Sequence, residues 1–176
     1  MLRDIEMMKH TVEYRLINLF YGDRVAKRSQ VPLINHINEG LVVLSAIDAT
    51  YAAKRAFCIH PLFQADADLE ENYYLASSFE PRVLVLAIEY RSVANEYLSD
   101  KVNTEQKIRL SPLKEVNQML VADKVQNYKD FLKHHHGTHE RSDELSVYFE
   151  KWLKRLEIDN QTYLDLCKTI DERKVK

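Results

Sequence analysis

The sequence contains few of the residues that build loops and covalent cross-links. Its 176 residues include three glycines, four prolines and two cysteines. So little glycine and proline argues against a loop-rich or all-β architecture. Cys58 and Cys167 lie far apart within helical patterns. They are predicted to be two separate buried thiols, with one disulfide between them as the alternative.

Long apolar runs and a strong excess of one charge are also missing. The longest apolar runs, near 41–44 and 83–86, are far shorter than the roughly 20 residues of a membrane-spanning helix. Asp4 and Glu6 stand where an export signal would be apolar, so we expect a soluble cytoplasmic protein with no membrane partner. The formal net charge is −2, and no nucleic-acid partner is expected.

Apolar residues recur with the 3.6-residue period of an α-helix along most of the chain, without the alternation of a strand. We therefore expect an all-α fold: one domain over residues 1–176, built as a bundle of about seven or eight helices. The helices are expected at 1–21, 32–49, 51–59, 69–79, 81–99, 112–132, 142–156 and 159–172.

The expected helix ends follow from proline, glycine and hydroxyl residues. Pro61 lacks a backbone donor and disfavours a helical residue before it, so the helix from residue 51 is expected to end at His60. Residues 62–68 are then a link. The expected caps and stops are Thr50, Ser111 and Ser142 at helix starts, and Gly22 and Gly137 at helix ends.

Three residues of metal-binding type occur in separate helical segments. His36 and His60 lie in apolar surroundings, while Asp123 and Asn127, four residues apart, share one helix face. Two histidines and an aspartate suit Mn²⁺, Fe²⁺ or Zn²⁺. The alternative for each histidine is a hydrogen-bonded core residue.

Two basic or histidine-rich segments are open to more than one interpretation. Arg24, Lys27 and Arg28 form either a solvated connector or a loop that faces phosphate, since they lead into the segment of His36. A group of four histidines binds transition metals adventitiously, but neighbours on one short loop rarely build a closed site. These four are His134, His135, His136 and His139.

Five short stretches share their order and spacing with the motifs of a known family. They are Val-Pro-Leu-Ile-Asn-His at 31–36, Ala-Phe-Cys-Ile-His at 56–60, Phe-Glu-Pro-Arg-Val at 79–83, Val-Ala-Asp-Lys-Val-Gln-Asn at 121–127 and Tyr-Phe-Glu at 148–150. The chain resembles the Rel/Spo-type alarmone hydrolases of the HD phosphohydrolase superfamily. The resemblance covers about residues 24–156, and its strongest part is the similarity of 121–127 to the family box Leu-Ala-Asp-Lys-Leu-x-Asn.

The resemblance implies a metal-dependent reaction on a nucleotide. In the family, a His, a His-Asp pair and a distant Asp hold Mn²⁺, and the metal-activated water attacks the 3′-pyrophosphate ester of a (p)ppGpp-like alarmone. Carried over by position, the ligands are His36, His60 and Asp123, with Zn²⁺ or Fe²⁺ as other ions. The substrate contacts would be Arg24, Lys27, Arg28, Lys124, Asn127 and Tyr148, although packing at the core edge is an equal role for Tyr148.

The chain departs from the family pattern beside the second histidine. Pro61 stands in place of the Asp of the His-Asp pair, and Gln64 and Ala65 replace a Glu-Asp pair that assists the water. Gln64 and Asp66 are the candidates to take over that catalytic role, with Asp68 as an alternative to Asp66. Three functions stay open. The first is a hydrolase, and the second is an inactive relative without a metal that binds a nucleotide or a protein partner, including a second copy of itself. A third is a helical interaction protein whose histidines belong to the core.

Overall fold

The computed structural model describes residues 2–27 and 29–174, and in these it is all-helical, as predicted. Within the described ranges there are nine α-helices and two short 3-10 helices, and the only β pairing is a bridge between Val25 and Pro32. The α-helices are α1 (Leu2–Lys9), α2 (Val12–Tyr21), α3 (Ile34–Ala46), α4 (Tyr51–Gln64), α5 (Asp66–Asn72), α6 (Pro81–Glu96), α7 (Lys114–His134), α8 (Ser142–Arg155) and α9 (Asn160–Lys174). The 3-10 helices are Tyr73–Ser78 and Ser99–Lys101.

Helix α4 lies at the centre of the bundle and contacts α2, α3, α5, α6 and α7. Its buried residues occupy most of its circumference, from Ala53 to Phe63, as expected for a helix enclosed by others. The Phe57 ring packs against Gly40 of α3, where an added Cβ would overlap that ring. Gly40 thus allows α3 and α4 to approach closely at the level of His36 and His60.

The predicted first helix, 1–21, is two helices. The chain breaks at His10 and Thr11, and the Thr11 hydroxyl accepts a hydrogen bond from the Tyr14 amide at 3.3 Å. A threonine side chain that caps a new start competes with the continuing helix. Gly22 ends α2 as predicted, with φ +50° and its amide bonded to the Asn18 carbonyl.

The predicted end of α4 at His60 is wrong. The helix runs through Pro61 to Gln64, so residues 62–64 are helical and not part of a link. Proline at this position lacks the N–H for a helical bond and brings its ring close to the carbonyl four residues earlier, but the flanking apolar residues Leu62 and Phe63 are almost completely buried. Their burial outweighs the local penalty of the proline.

Several further boundaries differ from the predictions, among them the ends of α3 (Ile34–Ala46, expected 32–49) and α6 (Pro81–Glu96, expected 81–99). The expected helix at 69–79 begins at Asp66 as α5 and passes into the 3-10 helix Tyr73–Ser78. The expected helix at 112–132 begins at Lys114 and continues to His134.

The three predicted caps have different outcomes. Thr50 caps α4, since its hydroxyl accepts from the Ala53 amide at 3.2 Å. Ser111 accepts from the Leu113 amide at 3.1 Å, before α7 begins. Ser142 accepts from the Gly137 amide at 2.8 Å, so it closes the preceding turn and does not cap α8.

Cys58 and Cys167 are both free thiols, so the prediction of two separate thiols is confirmed and the alternative disulfide is wrong. Cys58 is fully buried and Cys167 half-buried. Burial raises the pKa of the Cys58 thiol well above its usual range. Every helix in the described part of the chain is too short or too polar to cross a lipid bilayer.

Candidate metal centre

A cavity of about 680 Å³ opens between α3, α4, α7 and α8, and the loop before α3 forms part of its wall. His36, His60 and Asp123 line it together, although they come from three helices. His36 Nε2 lies 3.3 Å from His60 Nε2 and 3.6 Å from Asp123 Oδ1. The three donor atoms lie within 4.8 Å of one another, which is the only such cluster of possible metal ligands among the described residues.

Each imidazole is held by a hydrogen bond at its other nitrogen. His60 Nδ1 is 2.7 Å from the Phe57 carbonyl oxygen, which only accepts, so Nδ1 carries the proton. His36 Nδ1 is 2.8 Å from Gln126 Oε1 and donates to it in the same way. In the neutral form of each ring, the Nε2 atom within the cluster is then the unprotonated nitrogen.

The orientation of the Gln126 amide decides which nitrogen of His36 carries the proton. Gln126 Nε2 lies 2.8 Å from Asp130 Oδ2 and 3.5 Å from Glu39 Oε2. A carboxylate requires a donor, so the amide nitrogen faces these two groups and the amide oxygen faces His36. The two carboxylates thus fix the orientation of the Gln126 amide, and that orientation places the proton of His36 on Nδ1.

Two imidazole Nε2 atoms and one carboxylate oxygen consequently converge in the cavity. Burial, together with the nearby His36, lowers the pKa of His60 to about 3, so this ring stays neutral at neutral pH. His36 Nε2 and His60 Nε2 are 3.3 Å apart, within hydrogen-bond distance when one of them carries a proton. A cation bound by the three donors would take the place of that proton.

The separations also match those of ligands on one ion. Nitrogen and oxygen donors that bind at about 2.0–2.2 Å in a tetrahedron lie roughly 3.3–3.6 Å apart. Two of the three separations in the cluster are 3.3 and 3.6 Å. The open cavity leaves room for a further ligand, as in catalytic sites with three protein donors.

Asp123 is ionised and held on both oxygens. Burial by itself would raise the pKa of Asp123, but the adjacent ammonium of Lys124 and the two imidazoles lower it to about 2. Asp123 Oδ2 lies 2.8 Å from Lys124 Nζ, and Asp123 Oδ1 accepts from Asn127 Nδ2 at 2.8 Å.

Lys124 Nζ also donates to the Tyr148 hydroxyl at 3.2 Å. The Asp123 carboxylate and the Tyr148 hydroxyl oppose the effect of burial and hold the pKa of Lys124 above its usual value.

The other residues predicted for the site are only partly brought together. Arg24 points back to α2, where it donates to the Phe20 carbonyl and lies 4.6 Å from the centre of the Phe20 ring. Asp66 is exposed, pairs with Arg91 and lines a separate cavity. Arg28 lies outside the described residues. The predicted residues that do line the central cavity are Lys27, Gln64, Lys124, Asn127 and Tyr148.

Three contributors to the site were not identified from the sequence. Gln126 follows Asp123 by three residues, so its place on the same helix face was a usable signal. Phe57 supplies its carbonyl to His60 and a ring whose centre lies 4.7 Å from that of His60. Asp130 orients Gln126, an indirect role for which the sequence carries no signal.

Comparison with models of known protein families, with curated proteins and with solved structures finds no match to this chain. The resemblance to HD hydrolases therefore depends on the five sequence motifs alone.

Proposed function

We propose that this protein is a metal-dependent phosphohydrolase of the HD type that acts on a nucleotide. The observation that carries the proposal is the convergence of the Nε2 atoms of His36 and His60 with the Asp123 carboxylate. The Nε2 atoms of the two rings and the carboxylate come from three helices and have separations of 3.3 and 3.6 Å, which match those of ligands on one ion. The motif resemblance narrows the substrate to a (p)ppGpp-like alarmone or a related nucleotide.

His36, His60 and Asp123 would hold the ion, and the donor set of two nitrogens and one oxygen suits Mn²⁺, Zn²⁺ or Fe²⁺. The resemblance favours Mn²⁺. A bound ion of this kind supplies Lewis acidity and lowers the pKa of water. The Lys124 ammonium, 2.8 Å from Asp123, keeps this carboxylate ionised and available.

The cavity walls fit a substrate that carries both an anion and an aromatic base. Lys27 at the rim contributes positive charge, and Asn127 and Tyr148 offer polar groups close to the metal cluster. Phe131 and Phe149 line the same cavity and present apolar surface for a base. Gln64 is the only one of the two proposed water-assisting residues that reaches this cavity, and its amide orients water without acting as a base.

The test is a metal titration of the wild type and of Asp123→Asn after both have been stripped with a chelator. One equivalent of Mn²⁺ or Zn²⁺ is expected to bind to the wild type by calorimetry, and Asp123→Asn is expected to lose this binding. Asp143→Asn makes the same chemical change at an exposed position of α8 and should bind normally. Release of phosphate or pyrophosphate from a nucleotide panel should follow the metal-loaded wild type and disappear in Asp123→Asn. Stoichiometric metal binding without any turnover would refute the hydrolase proposal.

A second candidate, an inactive relative that binds a ligand, is favoured by Pro61. At the position of the family Asp, a proline offers no ligand atom, and Ala65 is exposed without an acidic group. The triple variant Pro61→Asp, Gln64→Glu and Ala65→Asp restores the family groups. If the natural protein only binds nucleotide, the variant gains hydrolysis that the wild type lacks, whereas an active wild type excludes this second function.

A further inference from the structure

Pro61 leaves one backbone carbonyl of α4 without its helical partner. In an α-helix the N–H of each residue bonds to the carbonyl four residues earlier, and proline has no N–H. The carbonyl four residues before Pro61 belongs to Phe57. In most helices such a vacancy is filled by water or left at a cost.

In this protein the vacancy is filled by an imidazole. His60 Nδ1 donates to the Phe57 oxygen at 2.7 Å. His60 is 1% exposed and Phe57 is completely buried, so water has little access to either group. The carbonyl released by Pro61 is thus the acceptor that fixes the proton of His60 on Nδ1.

The consequence appears on the opposite side of the ring. With the proton on Nδ1, His60 Nε2 has a free lone pair 3.3 Å from His36 Nε2. The ring also packs between Phe57 and Tyr90, with centre distances of 4.7 and 4.6 Å. Packing restricts the ring position, and the bond to the carbonyl selects the tautomer.

We propose that Pro61 is a positioning residue that keeps the Phe57 carbonyl available to His60 and so directs His60 Nε2 at the metal-binding cluster. The role of Pro61 in metal binding rests on the proposed metal-dependent function, whereas its effect on the tautomer of His60 does not. Any other residue at position 61 has an N–H aimed at the same carbonyl. Pro61 therefore supplies no ligand atom where the family has Asp, but it orients the neighbouring proposed ligand, His60.

The first test is the tautomer of His60 in metal-free protein with ¹⁵N-labelled histidine. Protonated and unprotonated ring nitrogens have well-separated ¹⁵N shifts, and the wild type should show His60 with the proton on Nδ1. In Pro61→Ala the new backbone N–H competes for the Phe57 carbonyl, so a mixture of both tautomers is expected. A His60→Gln sample assigns the signal.

The second test is metal affinity. Pro61→Ala is expected to bind Zn²⁺ about tenfold more weakly than the wild type, the lower part of the range for loss of a group that orients a ligand. The same variant should melt at a higher temperature, because alanine suits a helix interior better than proline. Pro81→Ala changes a proline in the first turn of α6, where no carbonyl is released, and should leave both the tautomer and the affinity unchanged.

An ester analogue separates the missing N–H from the shape of the proline ring. In this analogue residue 61 is lactic acid, which matches alanine except that oxygen replaces the N–H. It should restore the wild-type tautomer and affinity. If the analogue behaves like Pro61→Ala, ring packing is responsible and the proposal is wrong.

An unchanged His60 tautomer in Pro61→Ala also overturns the proposal. The result is independent of the proposed function, because the tautomer is measured without metal. A wild type that binds no metal but shows the Pro61-dependent tautomer would refute the metal site and leave the positioning role intact. If the wild type binds metal, and neither the affinity nor the His60 tautomer depends on Pro61, the metal site is supported and the positioning role is refuted.

Discussion

Among single residues, Gln126 shows how a proposed metal ligand is held by a group outside the proposed site. Its amide oxygen accepts from His36 Nδ1, while its amide nitrogen donates to Asp130. It is 1% exposed, so water does not replace it as the partner of His36. Orientation by such a partner strongly affects the affinity of the ligand it supports.

Gln126→Leu is expected to weaken metal binding by about 10–100-fold, because His36 loses the acceptor that keeps its proton on Nδ1. The measurement is competitive titration with a coloured chelator. Gln118→Leu is the matched control, since Gln118 lies on the same helix and its buried Oε1 has no hydrogen-bond partner in the described structure. Equal affinities of wild type and Gln126→Leu would show that the tautomer of His36 does not depend on Gln126.

The three ligand candidates could be chosen from the sequence, but the atoms that orient them could not. His36, His60 and Asp123 were selected by residue type and motif, and the fold brings all three together. The partner of His60 is a backbone carbonyl, which every residue possesses, so no side-chain pattern identifies it. Pro61 was interpreted from the sequence as a lost ligand, whereas its effect in the structure is on the backbone four residues earlier.

At the scale of helices, the contact of α3 with α4 through Gly40 and Phe57 positions two of the three proposed ligands. Gly40→Ala gains about 1 kcal/mol of helix propensity, but it overlaps the Phe57 ring. Overpacking of a dense core typically costs about 1–3 kcal/mol. The overlap involves the body of the ring, so we expect net destabilisation by roughly 1–2 kcal/mol in chemical denaturation.

A double-mutant cycle attributes this loss to the ring. Phe57→Leu removes the overlapping atoms, so Gly40→Ala combined with Phe57→Leu should be more stable than the sum of the single effects by about 1 kcal/mol or more. Strictly additive effects would place the cost of Gly40→Ala elsewhere in the α3–α4 contact.

Helix α1 is attached to the bundle by an ion pair of Asp4 with Lys54, whose side chain is 8% exposed. The hydrogen bond from Lys54 lowers the pKa of Asp4. Its stabilising effect is therefore complete above the ordinary pKa of 3.8 and is lost as the pH falls through the lower value of the folded state. Asp4→Asn should cost about 1–2 kcal/mol at neutral pH because Lys54 stays buried.

The difference in unfolding free energy between wild type and Asp4→Asn should shrink in urea titrations carried from about pH 6 to about pH 3. Glu6→Gln is the control, since Glu6 is exposed and pairs only with Lys9 of its own helix among the described contacts. A difference that is independent of pH would mean that Asp4 acts by packing and not by charge.

Helix existence was predictable from periodicity, while helix ends depended on local competition. The break before α2 requires Thr11 to cap a new helix instead of continuing the old one, and both states fit the apolar pattern. The extension of α4 past Pro61 depends on the burial of Leu62 and Phe63, which is a property of the assembled bundle. Ser142 fits the sequence pattern of a helix cap, but its hydroxyl accepts from the Gly137 amide and not from an amide of α8.

For the molecule as a whole, metal binding and folding should be linked. A ligand that binds only the folded state stabilises it by about 2.7 kcal/mol at a concentration of 100 times its Kd. In a chain of this length, that corresponds to a rise in Tm of roughly 5–10 °C. Thermal melts of the wild type with and without Zn²⁺ should show this rise, and excess EDTA should reverse it. Asp123→Asn should show no rise, whereas an equal rise in this variant would indicate binding outside the cluster.

The two-nitrogen, one-oxygen donor set has a practical consequence for anyone who handles this protein. Affinities at such sites increase from Mn²⁺ towards Cu²⁺ whatever the biological ion. The histidines at 134–136 and 139 should retain the untagged chain on a nickel resin, and the resin then supplies an ion to the cluster. The metal found in purified protein would then depend on the growth medium and the column and would not identify the biological ion. Turnover is therefore best compared only after the protein has been stripped and reloaded with one known ion.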